Sequence, residues 1–156
     1  MTQASKDGNT VLTSCDPDMA CFIEKEFEAD DKQLHVVLNF LEEELEKRGA
    51  GRKEMMGLSL ALEEAFVNVA HYAYEGREPG KVWIGFTFEG DDISITLKDQ
   101  GMEFDPLENK DPDITLKASE RKIGGLGIYM IKKTADAVKY ERKDGYNILT
   151  MKKTYR

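Results

Sequence analysis

Val82, Ile84, Phe86 and Phe88 stand at alternate positions, and beyond Glu89-Gly90-Asp91-Asp92 the alternation resumes at Ile93, Ile95 and Leu97. Period-two patterning on both sides of a short Gly-containing turn predicts an antiparallel hairpin over 82–98 with one apolar face. Such a face is stable only under a second layer. The chain must therefore supply helices to cover it.

Helical cover lies upstream. Asp30 and Asp31 offer an N-cap and an acidic first turn, Leu34, Val37, Leu38, Leu41 and Leu45 follow at three-and-four spacing, and Gly49 stops the run. A second helix is expected from about Arg52 to Tyr74. Its stretch LSLALEEAFVNVA is apolar nearly all round, the mark of a core helix. Ile128, Ile131 and Ala135 predict a third helix, and Val138–Arg142 with Tyr146–Lys152 a second hairpin around Lys143-Asp144-Gly145. Residues 1–20 read as a loose polar arm leading into a strand near Phe22–Phe27. Residues 106–122 are polar, contain Pro106 and Pro112, and carry no period, as functional loops often do. Hairpins interleaved with helices, without repeats or linkers, give the fold class α+β: a two-layer α/β sandwich with a mostly antiparallel sheet covered on one face by helices.

Composition narrows the function classes. A chain of 156 residues is about one domain. Its net charge of −8 argues against nucleic acid as the main ligand, and the basic pairs Lys132-Lys133 and Lys152-Lys153 have no aromatic interleaving. No apolar run approaches the ~20 residues that span a bilayer, and the first ten residues lack a hydrophobic leader core. No membrane association is expected, and the location is read as cytoplasmic. Cys15 and Cys21 are too few and too close for a disulfide framework, so they are read as free thiols in a reducing compartment.

Three short stretches carry candidate chemistry. KIGGLGIYMIKKTAD, starting at Lys122, places Gly124, Gly125 and Gly127 around Leu126 where a helix begins. Bare backbone N–H groups at a helix N-terminus can hold a phosphate, although glycines there also serve simple turn flexibility. Glu64 and Asn68 are one helical turn apart on an otherwise apolar helix. They lie on the helix's one wet stripe or face a ligand cavity, and their oxygens suit Mg²⁺ bound with phosphates. In LKDQGMEFDP a strand ends at Asp99, with Gly101 after it. Asp before Gly is a common turn; equally, the carboxylate can accept from an exocyclic amino group, with the glycine letting a planar ring lie close to the backbone.

The order is more specific than any piece: Glu-x-x-x-Asn on a helix, Asp-x-Gly at a strand end, a long polar loop, then Gly-Gly-Leu-Gly opening a helix. It resembles the GHKL ATPase superfamily with its Bergerat-type ATP-binding fold, N box, G1 box, ATP lid and G2 box. Within that superfamily the chain looks most like the bacterial anti-sigma-factor serine kinases (the RsbW/SpoIIAB-like group), whose helix has a similar end to EEAFVNVAHYAY. The likeness spans about residues 20–153, which implies an ATP-binding kinase domain over 21–156. It implies ATP and Mg²⁺ as cofactors, Asn68 as metal ligand, Glu64 as general base, and Asp99 with Gly101 at the adenine. Gly124, Gly125, Leu126 and Gly127 would hold the phosphates. Arg121 and Lys122, at the end of the lid, either neutralise the γ-phosphate or form a solvated basic pair.

The same resemblance implies partners: a STAS-type anti-anti-sigma protein as the phosphorylated substrate, a sigma factor held in an ATP-dependent way, and a second copy of the chain. Pairing through the strand near Phe22–Phe27 would make the homodimer. The alternative is a catalytically silent, ATP-dependent binding switch. Two departures stand out. Where the family often has His four residues after the Asn, this chain has Tyr72, with His71 one position earlier. Where its last hairpin often carries Gly-Thr, this chain has Tyr146-Asn147, with Asn147 a candidate adenine contact.

Overall fold

The computed structural model describes residues 2–4, 10–15, 20–75, 80–108 and 125–156. In chain order these form β1 (Thr2–Ala4), β2 (Thr10–Cys15), β3 (Cys21–Glu28), α1 (Leu34–Lys47) and α2 (Arg52–Asn68). Then come β4 (Lys81–Glu89), β5 (Asp92–Asp99), α3 (Gly125–Thr134), β6 (Ala137–Lys143) and β7 (Tyr146–Thr154). The strands make one sheet in the order β1-β2-β3-β4-β5-β7-β6, and every neighbouring pair is antiparallel. The expected α+β sandwich is what forms.

Register follows from turn chemistry. Asp144 and Gly145 both adopt positive φ (51° and 84°), the mirror-image turn that joins twisted strands through two residues. Counting outward from it sets Arg142 opposite Asn147 and Tyr140 opposite Leu149. Across the sheet Val82, Asp99, Asn147 and Arg142 form one continuous row.

That row lies on the covered face. Val82, Ile84, Phe86 and Phe88 from β4 and Ile93, Ile95 and Leu97 from β5 are all buried, as the alternation requires. Val37, Leu41 and Leu45 of α1, Leu58, Leu62 and Phe66 of α2, and Ile128 and Ile131 of α3 pack into the same core. Each such side chain contributes about 1.5–3 kcal/mol when removed from water. The other face carries Glu24, Thr96 and Lys98, with Lys98 Nζ 3.3 Å from Glu24 and Trp83 edge-on to Tyr146 at 5.7 Å.

Several expectations are corrected. The polar segment read as a loose arm contains β1 and β2, because β3 offers a free edge on which β2 can complete its hydrogen bonds. For the same reason β3 lies inside the sheet, between β2 and β4, and the stretch Phe22–Phe27 is no edge seam for a dimer. Cys15 and Cys21 are joined as a disulfide. Their count and spacing suggested free thiols, but the pairing of β2 with β3 sets the two directly opposite each other. The second helix is not α-helical to Tyr74. After Asn68 it widens into a π turn, Val69–Ala73. It is also less enclosed than its composition suggests: Met56 and Leu60 are exposed. Of the long polar loop, Pro106–Glu108 forms a short 3-10 turn, and residues 109–122 lie outside the described residues.

Candidate functional site

Asp99 ends β5 on the covered face and is only 5% exposed. Burial pushes its carboxyl up from the ordinary range, opposed by hydrogen bonds from Asn147 and the Gly101 amide and by the charge of Arg142. The Gly101 amide and Asn147 Nδ2 both donate to Asp99 Oδ1 at 2.9 Å. Asp99 Oδ2 has no hydrogen-bond partner among the described residues. No buried side-chain oxygen or nitrogen is left unsatisfied there, so Oδ2 reaches solvent. The carboxylate thus has one oxygen anchored inside the protein and the other left to accept a further hydrogen bond.

Gly101 has a structural reason for being glycine. A β-carbon there would overlap the carbonyl of Ala73 in the π turn. The Met102 amide donates to that same carbonyl at 2.9 Å. This close backbone approach by itself demands glycine. Tyr74 fastens the junction again: its hydroxyl donates to Lys81 O at 2.5 Å and accepts from the Gln100 amide at 2.8 Å. The widened turn after Asn68 is thereby bolted to the exit of β5.

One turn earlier on α2, Glu64 meets the first turn of α3. A β-carbon on Gly127 would collide with Glu64 Oε2. Glu64 and Asn68 are both half-buried, and neither side chain has a hydrogen-bond partner among the described residues. Helix α2 thus joins the pieces: Glu64 lies against the glycine-rich start of α3, and Asn68 leads into the turn locked to the Asp99 strand end. Gly125 and Leu126 are in the first turn of α3. Arg121, Lys122 and Gly124 lie outside the described residues.

The departures resolve in different ways. His71 Nε2 lies 2.7 Å from Asp31 Oδ2 on the exposed side of the π turn, and Tyr72 is exposed. Asn147 does not fit as an adenine contact, because its amide is fully engaged within the protein. It donates to Asp99 and to Met102 O at 2.7 Å, and accepts from Tyr140 Oη at 2.5 Å and from the Phe104 amide at 3.3 Å. Arg142 adds a bond to Gly101 O at 2.9 Å. Tyr140, Arg142 and Tyr74 were missed as site residues. Counting register from the Asp144-Gly145 turn sets Arg142 opposite Asn147 and Tyr140 on the same face, so those two were within reach.

A cleft of about 340 Å³ opens beside this network, lined by Glu103, Phe104, Asp105, Glu108 and Tyr140. Its three carboxylates would repel a polyphosphate, and it contains none of the expected site residues. Among the described residues no helix is long and apolar enough to cross a membrane.

Comparison with known proteins bears on the family and the fold. The family model described as a histidine kinase-like ATPase domain matches residues 27–153. Serine-protein kinase RsbW of Listeria monocytogenes is 26% identical over 110 residues, covering 68% of this chain and 70% of that one. Serine-protein kinase RsbW of Oceanobacillus iheyensis is 27% identical over 140 residues, covering 84% and 85%. Serine/threonine-protein kinase BtrW of Bordetella bronchiseptica is 26% identical over 94 residues, covering 60% and 66%. The crystal structure of the RsbU and RsbW domains of Rv1364c from Mycobacterium tuberculosis superposes with a TM-score of 0.60 at 15% identity. That match covers 85% of this chain and 32% of the larger one, and it bears on fold. With the family model spanning most of its length, the chain belongs to the histidine kinase-like ATPase domain family.

Proposed function

We propose that the chain is an ATP-dependent serine/threonine protein kinase that acts as a cytoplasmic anti-sigma regulatory factor. It phosphorylates a serine of a STAS-type anti-anti-sigma protein and, with nucleotide bound, holds a sigma factor. The observation that carries the reading is the role of α2, which brings Glu64, without a hydrogen-bond partner among the described residues, against the start of α3 and ties the turn after Asn68 to the Asp99 strand end. The names of the relatives supply the kinase class, and the anti-sigma setting is what the likeness of the ordered motifs implies.

In this reading Asp99 accepts the adenine amino group through Oδ2, and the backbone at Gly101 borders the ring. The amides of Gly124, Gly125, Leu126 and Gly127 cradle the phosphates at the N-terminus of α3, where the helix dipole favours negative charge. Arg121 and Lys122 are assigned to the γ-phosphate. Asn68 would hold Mg²⁺, which supplies charge neutralisation between phosphate oxygens. Its donor fits: the side-chain oxygen of a single amide suits an ion that keeps its waters and binds chiefly through phosphate oxygens. Glu64 takes the proton of the incoming serine hydroxyl as its oxygen attacks phosphorus, and the ADP oxygen leaves.

The test is incubation with γ-labelled Mg-ATP and STAS-type proteins from the same organism, read as phosphate on a partner serine. Transfer to one of them is expected. ATP binding without transfer to any would favour the nucleotide-dependent binding switch, in which ATP only orders the segment before α3.

A further inference from the structure

A primary amide has two N–H donors and two acceptor lone pairs. Asn147, 7% exposed, spends all four inside the protein. Turning it toward a ligand would strand at least one buried group, and an unmade buried hydrogen bond costs more than a new one returns. Its neighbours have settled geometry as well. Tyr140 comes from β6, Asp99 from β5, and Met102 and Phe104 from the segment leaving β5, so three separate stretches of chain meet at one amide.

We propose that Asn147 and Tyr140 are positioning residues for purine selection: without touching the ligand, they lock Asp99 Oδ1 inward and leave Oδ2 as an obligate acceptor for an exocyclic amino group. The inference rests on the nucleotide reading above and deepens it. With Oδ1 already accepting from Asn147 and Gly101, the carboxylate cannot rotate to suit another base edge. A 6-amino purine donates to Oδ2; a 6-oxo purine presents an oxygen to an oxygen. The Phe104 amide, which can only donate, and the Met102 carbonyl, which can only accept, keep the amide of Asn147 from flipping and leave its NH₂ group facing Asp99. The Tyr140 hydroxyl adds a further bond to the fixed amide oxygen. Selectivity therefore originates one residue behind the surface that meets the ligand.

The test compares ATP with inosine triphosphate, which lacks the amino group, by calorimetric titration of the full chain. The wild type should prefer ATP by about tenfold or more, the worth of one hydrogen bond to a charged group. Asn147→Ala should lower ATP affinity about three- to tenfold while moving affinity for inosine triphosphate less than about twofold. Tyr140→Phe, which keeps the ring, should shift the ratio in the same direction by a smaller factor, and it carries the test if Asn147→Ala does not fold. Equal loss for both nucleotides would mean that Asn147 is a structural strap only, and unchanged selectivity in both variants would overturn the inference outright. Wild-type chain that binds neither nucleotide would remove the nucleotide reading and this inference together, an outcome distinct from the other two.

Discussion

Gly101 and Ala73 approach so closely that a side chain on the glycine would occupy the space of the alanine carbonyl oxygen. One backbone contact thereby couples two parts of the site that are far apart in sequence. The π turn ending at Ala73 follows directly from Asn68, and Gly101 follows from Asp99. Displacing either backbone must change the relation between the helix that bears Glu64 and Asn68 and the carboxylate at the end of β5.

Gly101→Ala should therefore harm stability and nucleotide binding together. The added methyl meets backbone rather than a flexible side-chain tip, so the strain cannot be relieved by a rotamer change. Overpacking of this kind costs about 1–3 kcal/mol. Urea unfolding should show a lower midpoint, and ATP titration a weaker affinity than the stability loss alone explains. A variant as stable as the wild type would show that the π turn yields freely and is not bolted to β5.

Asp99→Asn separates stability from binding. Burial raises the Asp99 carboxyl above its usual value of 3.8, so the native chain holds this proton more tightly than the unfolded chain. Native stability therefore falls as pH rises from that usual value through the raised one, and the loss is complete above it. The Asp99→Asn substitution removes this titration. At pH 7 the ligand-free variant should melt at or above the wild-type temperature, and the difference should close below about pH 4. ATP affinity should fall about tenfold or more. In the variant the new amide oxygen is the atom held by Asn147 and Gly101, so the new NH₂ group would face the ligand's amino group, donor against donor. Unchanged ATP affinity would remove Asp99 from the adenine site.

How much of this was legible in the sequence depended on the range of the interaction. The 82–98 hairpin, α1 and the Asp144-Gly145 turn are decided by local periodicity and turn chemistry, and each forms close to where the pattern puts it. The order of the boxes led to Glu64, Asn68 and Asp99, and α2 does bring the first two into relation with α3 and with the exit of β5. What escaped was set by register and by backbone contact between distant segments. The Cys15–Cys21 bond depends on β2 finding β3, the close approach of Ala73 and Gly101 on two segments distant in sequence coming together, and the engaged amide of Asn147 on β5, the segment leaving it and β6 all meeting β7. None of these leaves a period in the residues themselves.

The cysteine pair gives a direct check on the N-terminal pairing. Alkylation of the denatured chain without reductant should add no label, and prior reduction should add two, because Cys15 and Cys21 are the only cysteines. Reduction should also lower stability by about 2 kcal/mol, the loop-closure value for so short a loop. Hydrogen exchange would register the loss first in β2. Full labelling without reductant would return the pair to free thiols and leave β2 held only by its hydrogen bonds to β3.

The last prediction separates binding from chemistry within one turn of α2. Asn68→Ala removes the proposed ligand of Mg²⁺, so Mg-ATP affinity and phosphoryl transfer should fall together. Glu64→Gln keeps the size and hydrogen-bonding capacity of the side chain but cannot take a proton. Gly127 packs against Glu64 Oε2, and an isosteric amide leaves that contact in place. Mg-ATP affinity should therefore stay near wild type, while transfer to the partner serine drops roughly 10²–10⁴-fold, the usual worth of a general base. Nucleotide titration and phosphate incorporation are measured on the same preparations of both variants. Glu64→Gln transferring at the wild-type rate would exclude Glu64 as the base. If that variant instead loses nucleotide affinity as Asn68→Ala does, Glu64 shapes the phosphate pocket through α3, and the proton must leave by another route.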